Sequence, residues 1–418
     1  MVNTQHIISV QEIMKAKQAL KGIARHTPLE LNDHLSEKYN CNLYLKREDL
    51  QVVRSYKIRG AYNKMKSLAS EVLAKGVICA SAGNHAQGFA YACKKLQVKG
   101  KVVMPVTTTQ QKISAVQRLG KQYVEIVLQG DTYDDAYYAA IALKEKEGLS
   151  FIHPFSDEKI IAGQGTIADE ILEDANDIDI LLIPVGGGGL SAGVGSYFKQ
   201  ISNNTKIIGV EPAGAPAMQQ SLQKGEVVTL TKIDGFVDGA AVREVGHINF
   251  EICQNVLDEL LLVDEGKICS TILDLYNEAA IVVEPAGAMT IAVLDQIKDK
   301  IEGKNVCCII SGGNNDITRM ADIKERSMIY EGLKHYFVIR LAQRAGALKE
   351  FLANVLGPDD DICFFEYTKK TSRTSGPIVI GIELKDKSDF KPLTIRMEQN
   401  GIQYRHLNNS PDLLTFLT

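Results

Sequence analysis

The chain of 418 residues contains no tryptophan and no surplus of either charge: 47 Lys and Arg stand against 51 Asp and Glu, a formal net charge of -4. Without a basic excess to displace counterions from phosphate, a nucleic-acid binder is excluded. No C-x-x-C pair occurs among the eight cysteines, and most lie in apolar runs such as Val306-Cys307-Cys308-Ile309-Ile310. Buried free thiols in a reducing cytosol are therefore expected, with no disulfide framework and no metal site. The longest apolar runs, such as Ile178 to Val185, are broken by Asp or Pro. They fall well short of the ~20 residues needed to cross a bilayer. Met1 to Leu20 carries no signal-peptide pattern, so a soluble, cytoplasmic protein is expected. Apolar residues at 45% and charged residues at 23% exclude disorder and collagen-like repeats. The length predicts about three compact units at roughly 150 residues each.

What is present is a regular alternation. Val77 to Ala80, Lys101 to Pro105, Tyr123 to Leu128, Ile180 to Val185, Lys206 to Val210 and Asn305 to Ile310 read as strands, with helical patterns between them. Near-continuous apolar strands alternating with helices predict an α/β fold with parallel sheet covered on both faces. Ligands then bind beyond the carboxyl ends of the strands. The tail reads differently. Tyr336 to Leu341, Ile362 to Tyr367, Ile378 to Leu384 and Ile402 to His406 read as strands, with the polar segment Lys369 to Pro377 dividing the middle two. One helical stripe is Leu348, Phe351, Leu352, Val355 and Leu356, and another is Phe390, Leu393 and Met397. The pattern βαββαβ predicts a ferredoxin-like α+β domain beginning between Ser327 and Lys334.

Four clusters carry chemistry. In Ser55-Tyr56-Lys57-Ile58-Arg59-Gly60 a packed lysine would be desolvated and ready for a Schiff base. On the hexamer alone, a solvated surface lysine is the simpler reading. Ser81-Ala82-Gly83-Asn84-His85 follows a strand and opens a helix, which suits a carboxylate or phosphate. A plain turn with Asn84 as N-cap explains it equally well. His85 has no second ligand at metal spacing and reads as structural. In Gly186-Gly187-Gly188-Gly189-Leu190-Ser191 four glycines between strand and helix form a phosphate nest, since each costs chain entropy that packing alone does not justify. The same stretch offers a decoy: Gly187, Gly189, Gly193 and Glu211 loosely mimic a nicotinamide-dinucleotide fingerprint, although the six-residue G-x-G-x-x-G is absent. In Ser311-Gly312-Gly313-Asn314 the hydroxyl could face a ring nitrogen, or the segment could be an ordinary turn. Together these clusters provide what a phosphorylated aldehyde cofactor needs: an amine, a phosphate nest, a ring partner and a carboxylate seat.

In those four motifs the sequence resembles the serine/threonine dehydratases, pyridoxal-phosphate enzymes of the tryptophan-synthase-β fold (fold type II). In Arg344-Ala345-Gly346-Ala347-Leu348, Phe364-Phe365-Glu366-Tyr367 and Gly376-Pro377 to Glu383, the tail resembles the single ACT-like regulatory domain of short biosynthetic threonine dehydratases. The resemblance spans nearly the whole chain. It implies a two-lobed catalytic domain over 1–328, its smaller lobe at roughly 50–150, and an ACT-like domain over 334–418. Lys57 would hold pyridoxal 5'-phosphate as a Schiff base and then move the substrate's α-proton. Tyr56 would lie against the ring, Asn84 would bond its 3-hydroxyl, Gly186 to Leu190 would hold the phosphate, and Ser311 would face the ring nitrogen. Gly239 would border the ring. Ser81, Ala82, Gly83, Asn84 and His85 would seat the substrate carboxylate.

The implied reaction is β-elimination and deamination of L-threonine, and of L-serine, to 2-oxobutanoate or pyruvate and ammonia, opening isoleucine biosynthesis. Isoleucine or valine would bind the tail as effector, and a homo-oligomer, tetramer or dimer, is suggested. Ala82 replaces a serine that racemases use, which counts against serine racemase. Ala217 stands where their divalent-metal site expects an acid, so no such metal is expected, although a monovalent cation remains compatible. Ala345 replaces the proline common in the tail motif. The alternatives are another enzyme of the fold (serine racemase, threonine synthase or cysteine synthase), a nicotinamide-dependent dehydrogenase built on Gly187 and Glu211, and a silent amino-acid sensor.

Overall fold

A computed structural model describes residues 6–367 and 375–410. The chain divides into two compact units, Met1–Asp316 and Ile317–Thr418.

The first unit holds two sheets. The larger has six strands in the order Leu29–Leu31, Asn42–Arg47, Asn305–Ile310, Ile180–Pro184, Lys206–Pro212, Glu259–Val263. All neighbours are parallel except Leu29–Leu31, which pairs antiparallel on one edge. The smaller sheet is wholly parallel, in the order Val124–Leu128, Gly100–Met104, Val77–Ala80, Ser150–Phe151. Every residue of Ile180–Pro184 and Val77–Ala80 is buried, as expected for strands covered on both faces. One core gathers Leu181, Ile183, Phe198 and Ile207 around the larger sheet. A second packs Phe89, Cys79, Val102 and Met104 around the smaller.

Two helices cross in close contact beside the larger sheet. A Cβ on Gly193, in the helix Gly189–Ile201, would lie 2.3 Å from the Ile161 carbonyl oxygen of the helix Glu158–Asp174. Gly193 therefore permits helix packing. Glu211, the supposed ribose acid, is fully buried and accepts hydrogen bonds from the backbone N–H groups of Met218 (2.7 Å) and Gln219 (2.9 Å) at the start of the helix Ala217–Lys224. It is a helix cap, and burial pushes its carboxyl up to about 8. The dinucleotide reading has lost two of its four residues to packing.

The second unit has strands Lys334–Ala342, Asp361–Tyr367, Ser375–Glu383 and Gln403–His406, with helices Ala347–Asn354 and Phe390–Gln399 between them. Chain order is βαββαβ, and the first strand lies between the third and the fourth in an antiparallel sheet. Ile378, Ile380 and Ile382 point into one core with Phe337, Ile339 and Leu393. One expected stripe is corrected. Leu348 and Leu352 are 37% and 41% exposed, whereas Ala347, Phe351 and Val355 are buried. The buried face runs along i, i+4, i+8 from Ala347, so the two leucines sit one residue, about 100°, off it. Seven cysteines are buried and free, but Cys363, also free, is exposed on the strand Asp361–Tyr367. Residues 369–374 of the polar divider lie outside the described residues, and Ser375 to Pro377 belong to the strand that follows.

Candidate active site

Lys57 opens the helix Lys57–Lys66, reached from a turn in which an isolated bridge joins Ser55 to Gly312. The Tyr56 N–H donates to the Ser311 carbonyl (3.1 Å), and the Gly313 N–H donates to the Arg54 carbonyl (2.9 Å). The first and fourth clusters are thereby laced together. Lys57 is half-buried, with its Nζ donating to the Pro154 carbonyl (3.0 Å) and standing 5.3 Å from the centroid of the Tyr56 ring. Burial pushes its ammonium down to about 8, against the opposing pull of Glu284. A surface lysine is thus ruled out.

The shift makes a prediction. An amine attacks an aldehyde only when neutral, so below about 8 most of Lys57 is unreactive ammonium and above it most is free amine. Stopped-flow bonding of pyridoxal phosphate to cofactor-free protein is expected to accelerate with pH and level off just above 8. A rate still climbing to the ordinary lysine value of 10.5 would contradict a desolvated Lys57.

The Ser81 to His85 turn lies at the carboxyl end of Val77–Ala80 and opens the helix Asn84–Leu96. Asn84 does not cap that helix. Gly83 occupies the cap position, without a side-chain bond, and Asn84 Nδ2 instead donates 2.6 Å to Oε1 of Glu284. Asn314 Nδ2 donates to Asn84 Oδ1 (2.7 Å) and to the Val53 carbonyl (2.9 Å), so the second and fourth clusters also meet. Ser81 Oγ accepts from the Gly83 N–H (3.2 Å), and Ala82 is half-buried. A Cβ on Gly83 would meet nothing within 4 Å, which leaves open space over the first turn of the helix. His85 turns inward, its Nε2 2.9 Å from the Ile152 carbonyl, and burial drives it down to about 3. Its side chain is part of the packing.

The glycine loop follows Ile180–Pro184 and opens the helix Gly189–Ile201. A Cβ on Gly186 would lie 2.8 Å from Cα of Ala240, next to Gly239, and one on Gly187 would lie 2.5 Å from the Phe155 ring. Gly188 adopts φ +86°, a left-handed conformation open to glycine at little cost. Leu190 is buried in the core, so only its backbone could face an anion. The first N–H groups of the helix lack intrahelical acceptors, and the positive end of its dipole adds to them. The cradle fits a phosphate.

Several residues that sequence reasoning missed complete the cleft. The segment His153 to Ser156 connects Lys57, through Pro154, to the glycine loop, through Phe155. Its shape is held by Nδ1 of His153, which accepts from the N–H groups of Phe155 (3.2 Å) and Ser156 (2.8 Å). Burial, then Lys57, pushes that imidazole down to about 4, in keeping with an acceptor nitrogen. Asn249 Nδ2 donates to the carbonyls of Gly187 (2.5 Å) and Phe155 (3.2 Å). Glu284 precedes the helix Pro285–Ala292 and is 6% exposed, with its N–H donating to the Gly312 carbonyl (3.2 Å). Burial and Asp238 push its carboxyl up to about 7 despite the Asn84 bond. A Cβ on Gly239 would lie 3.5 Å from Glu284 Oε1, which puts that glycine on the same rim. The one available signal was a lone acid inside the apolar run Ala279 to Ala292.

Ser311 is buried at the end of Asn305–Ile310. Beside it, the Ser55 hydroxyl is fully buried without a hydrogen-bond partner among the described residues. Such an orphan is costly unless a ligand satisfies it. An orphaned hydroxyl, a desolvated amine and a side-chain-free anion cradle are consistent with a phosphorylated aldehyde.

Residues 20–312 match the family described as pyridoxal-phosphate dependent enzyme, and residues 325–417 match the C-terminal regulatory domain of threonine dehydratase. The chain is 58% identical to the biosynthetic L-threonine dehydratase IlvA of Halalkalibacterium halodurans, over 98% of this chain and 99% of that one. It is 56% identical to the enzyme of the same name from Bacillus subtilis, over 98% of both. Among solved structures it is similar to the processed threonine deaminase isoform 2 of Solanum lycopersicum, at 45% identity and TM-score 0.72, over 78% of this chain and 96% of that one. It is also similar to a maize serine racemase, at 28% identity and TM-score 0.71, over 78% and 99%. The chain belongs to the pyridoxal-phosphate-dependent enzymes, in the threonine dehydratase family with its C-terminal regulatory domain.

Proposed function

We propose that the chain is an L-threonine ammonia-lyase that uses pyridoxal phosphate to convert L-threonine into 2-oxobutanoate and ammonia, and L-serine into pyruvate and ammonia. The observation that carries this reading is the desolvated amine of Lys57, linked through Pro154 and Phe155 to a glycine cradle closed to side chains. Pyridoxal phosphate, when bound, supplies an electron sink that acidifies the Cα–H of an amino acid. Lys57 would hold it and would then, in the neutral form that burial makes accessible from about pH 8, take the Cα proton. The amides of Gly186 to Leu190 hold the phosphate at the helix N-terminus. Asn84 offers an N–H to the ring hydroxyl, and Tyr56 packs beside Lys57. Ser311 presents a neutral hydroxyl to the ring nitrogen, which a carboxylate would hold protonated. With the ring nitrogen left unprotonated by that hydroxyl, the bound cofactor would act as a weaker electron sink, which would favour loss of the β-hydroxyl over side reactions at Cα. Ser81, Ala82 and Gly83 seat the substrate carboxylate at the open first turn of Asn84–Leu96. His85 contributes packing to that turn, because its ring is committed to the Ile152 carbonyl.

Two proposed domains, catalytic over 1–328 and regulatory over 334–418, divide the labour, the compact units themselves parting at Asp316 and Ile317. A branched-chain amino acid, isoleucine or valine, binds the C-terminal domain and acts because its affinity differs between two states of the enzyme. The setting is amino-acid biosynthesis in the cytoplasm, in a homo-oligomer, and no described helix is long and apolar enough to cross a membrane. One set of saturation curves tests this. Threonine and serine are supplied, the keto acids are identified by mass, and the threonine series is repeated with isoleucine or valine. 2-Oxobutanoate from threonine is expected, with a half-saturation point that moves with one effector. Absence of keto acid would overturn the catalytic reading, and superimposed curves would overturn the regulatory one.

A further inference from the structure

Glu284 is a buried carboxylate that the proposed chemistry leaves without a task. Its side chain accepts from two groups of the four clusters, Asn84 Nδ2 at 2.6 Å from Oε1 and the backbone N–H of Asn314. Asn84 is in turn bonded at its other end, where Oδ1 accepts from Asn314 Nδ2 at 2.7 Å. Asn314 spends its second N–H on the Val53 carbonyl at 2.9 Å and cannot turn without losing that bond.

A carboxamide has one accepting and one donating end, and a half-turn exchanges them. Turned over, Asn84 would set its oxygen against the Glu284 carboxylate and its NH2 against the NH2 of Asn314. Both bonds would be lost, and two like groups would face each other in a buried place, where such mismatches cost most. The observed orientation spends one Asn84 N–H on Glu284 and leaves the other for a ligand.

We infer that Glu284 and Asn314 are positioning residues that lock the Asn84 carboxamide so that it presents a donor, never an acceptor, to the oxygen of the bound cofactor's ring. A donor there stabilises the ionised form of that oxygen, so the lock sets both the cofactor's affinity and its colour. The inference rests on the pyridoxal-phosphate reading given above and goes beyond it by assigning two residues outside the cofactor's own shell.

The test uses the full-length enzyme, stripped of cofactor with hydroxylamine and titrated with pyridoxal phosphate while its visible absorbance is followed. The titration is run at about pH 8.5, above the Glu284 value of about 7, where its carboxylate only accepts. Glu284→Gln keeps the volume but replaces that carboxylate by a group that also donates, so Asn84 is no longer held to one orientation. About tenfold weaker binding is expected, the effect of one hydrogen bond. The absorbance should shift from the visible band toward the near ultraviolet as the ring oxygen regains its proton. Asn84→Ala should reproduce both changes, and the double variant should be no weaker than Asn84→Ala alone, since two residues acting through one bond are not additive. Asn314→Ala should give a smaller change in the same direction, and it carries the test if circular dichroism shows that Glu284→Gln fails to fold. Unchanged affinity and colour in a folded variant, or losses that add in the double variant, would overturn the lock. Wild-type protein that takes up no cofactor would instead overturn the catalytic reading, and the lock with it.

Discussion

Lys57→Ala should reduce threonine deamination by at least about ten thousandfold, because one substitution removes both the proposed covalent anchor and the proposed base. Folding should change little. The side chain is half-buried, and its one hydrogen bond is to the Pro154 carbonyl. The glycine cradle is untouched, so pyridoxal phosphate should still bind by its phosphate. Borohydride should no longer fix it to the chain, a difference that intact-mass spectrometry reads directly. Activity within tenfold of the parent would mean that another amine does this work. Two other lysines are already spent on ion pairs, Lys64 with Asp157 and Lys112 with Asp238.

The second large effect lies two residues away and concerns stability. Arg59 is 1% exposed and donates to Oε2 (2.9 Å) and Oε1 (2.7 Å) of Glu48, and to Oε1 (2.6 Å) and Oε2 (2.8 Å) of Glu170. It also donates to Thr166 Oγ1 at 3.0 Å. Lys46, itself fully buried, pairs with Glu170 at 2.9 Å and donates to the Thr27 carbonyl at 2.6 Å. Burial pushes the Glu170 carboxyl up, yet Arg59 and Lys46 outweigh it and hold the group below its ordinary range. Arg59→Ala would leave two buried carboxylates with one buried cation between them. Removing one partner of such a cluster costs about 3–5 kcal/mol. Against a total of roughly 5–15 kcal/mol, that is a large share. Urea unfolding of the cofactor-free protein should show the midpoint fall sharply. Arg59→Lys, which keeps the charge but not the two-pronged geometry, should fall between. A loss below about 1 kcal/mol would show that the cluster relaxes or fills with water. The helix carrying Arg59 begins at Lys57, so the same cluster holds the proposed catalytic amine in register.

What could be read in advance was whatever is local. Strand runs such as Ile180–Pro184 and Val77–Ala80 stand out because burial on both faces demands unbroken apolar residues. The tail strand Ser375–Glu383 shows its alternation because only one of its faces meets the Phe337 core. The glycine loop is equally visible, since four side-chain-free residues at a strand end need a reason. Leu348 and Leu352 misled because a short helix with many leucines fits two stripes, and the sheet it packs on chooses between them. Gly193 and Glu211 misled in another way. Helix contact and helix capping use the same residue types as a dinucleotide site.

The sequence alone therefore determined the two kinds of sheet, the position of Lys57 at a helix start, and the three turns offered to anions and ring. These depend on residues within a few positions of one another, where chain geometry leaves little choice. Only the tertiary structure decided which turns meet, and through what. Asn84 and Glu284 are 200 residues apart, and Lys57 and Pro154 are 97 apart, so no local pattern could pair them. It also decided the electrostatics. The same lysine and glutamate would titrate normally in water, and only packing of distant segments brings Lys57 down to about 8 and Glu284 up to about 7.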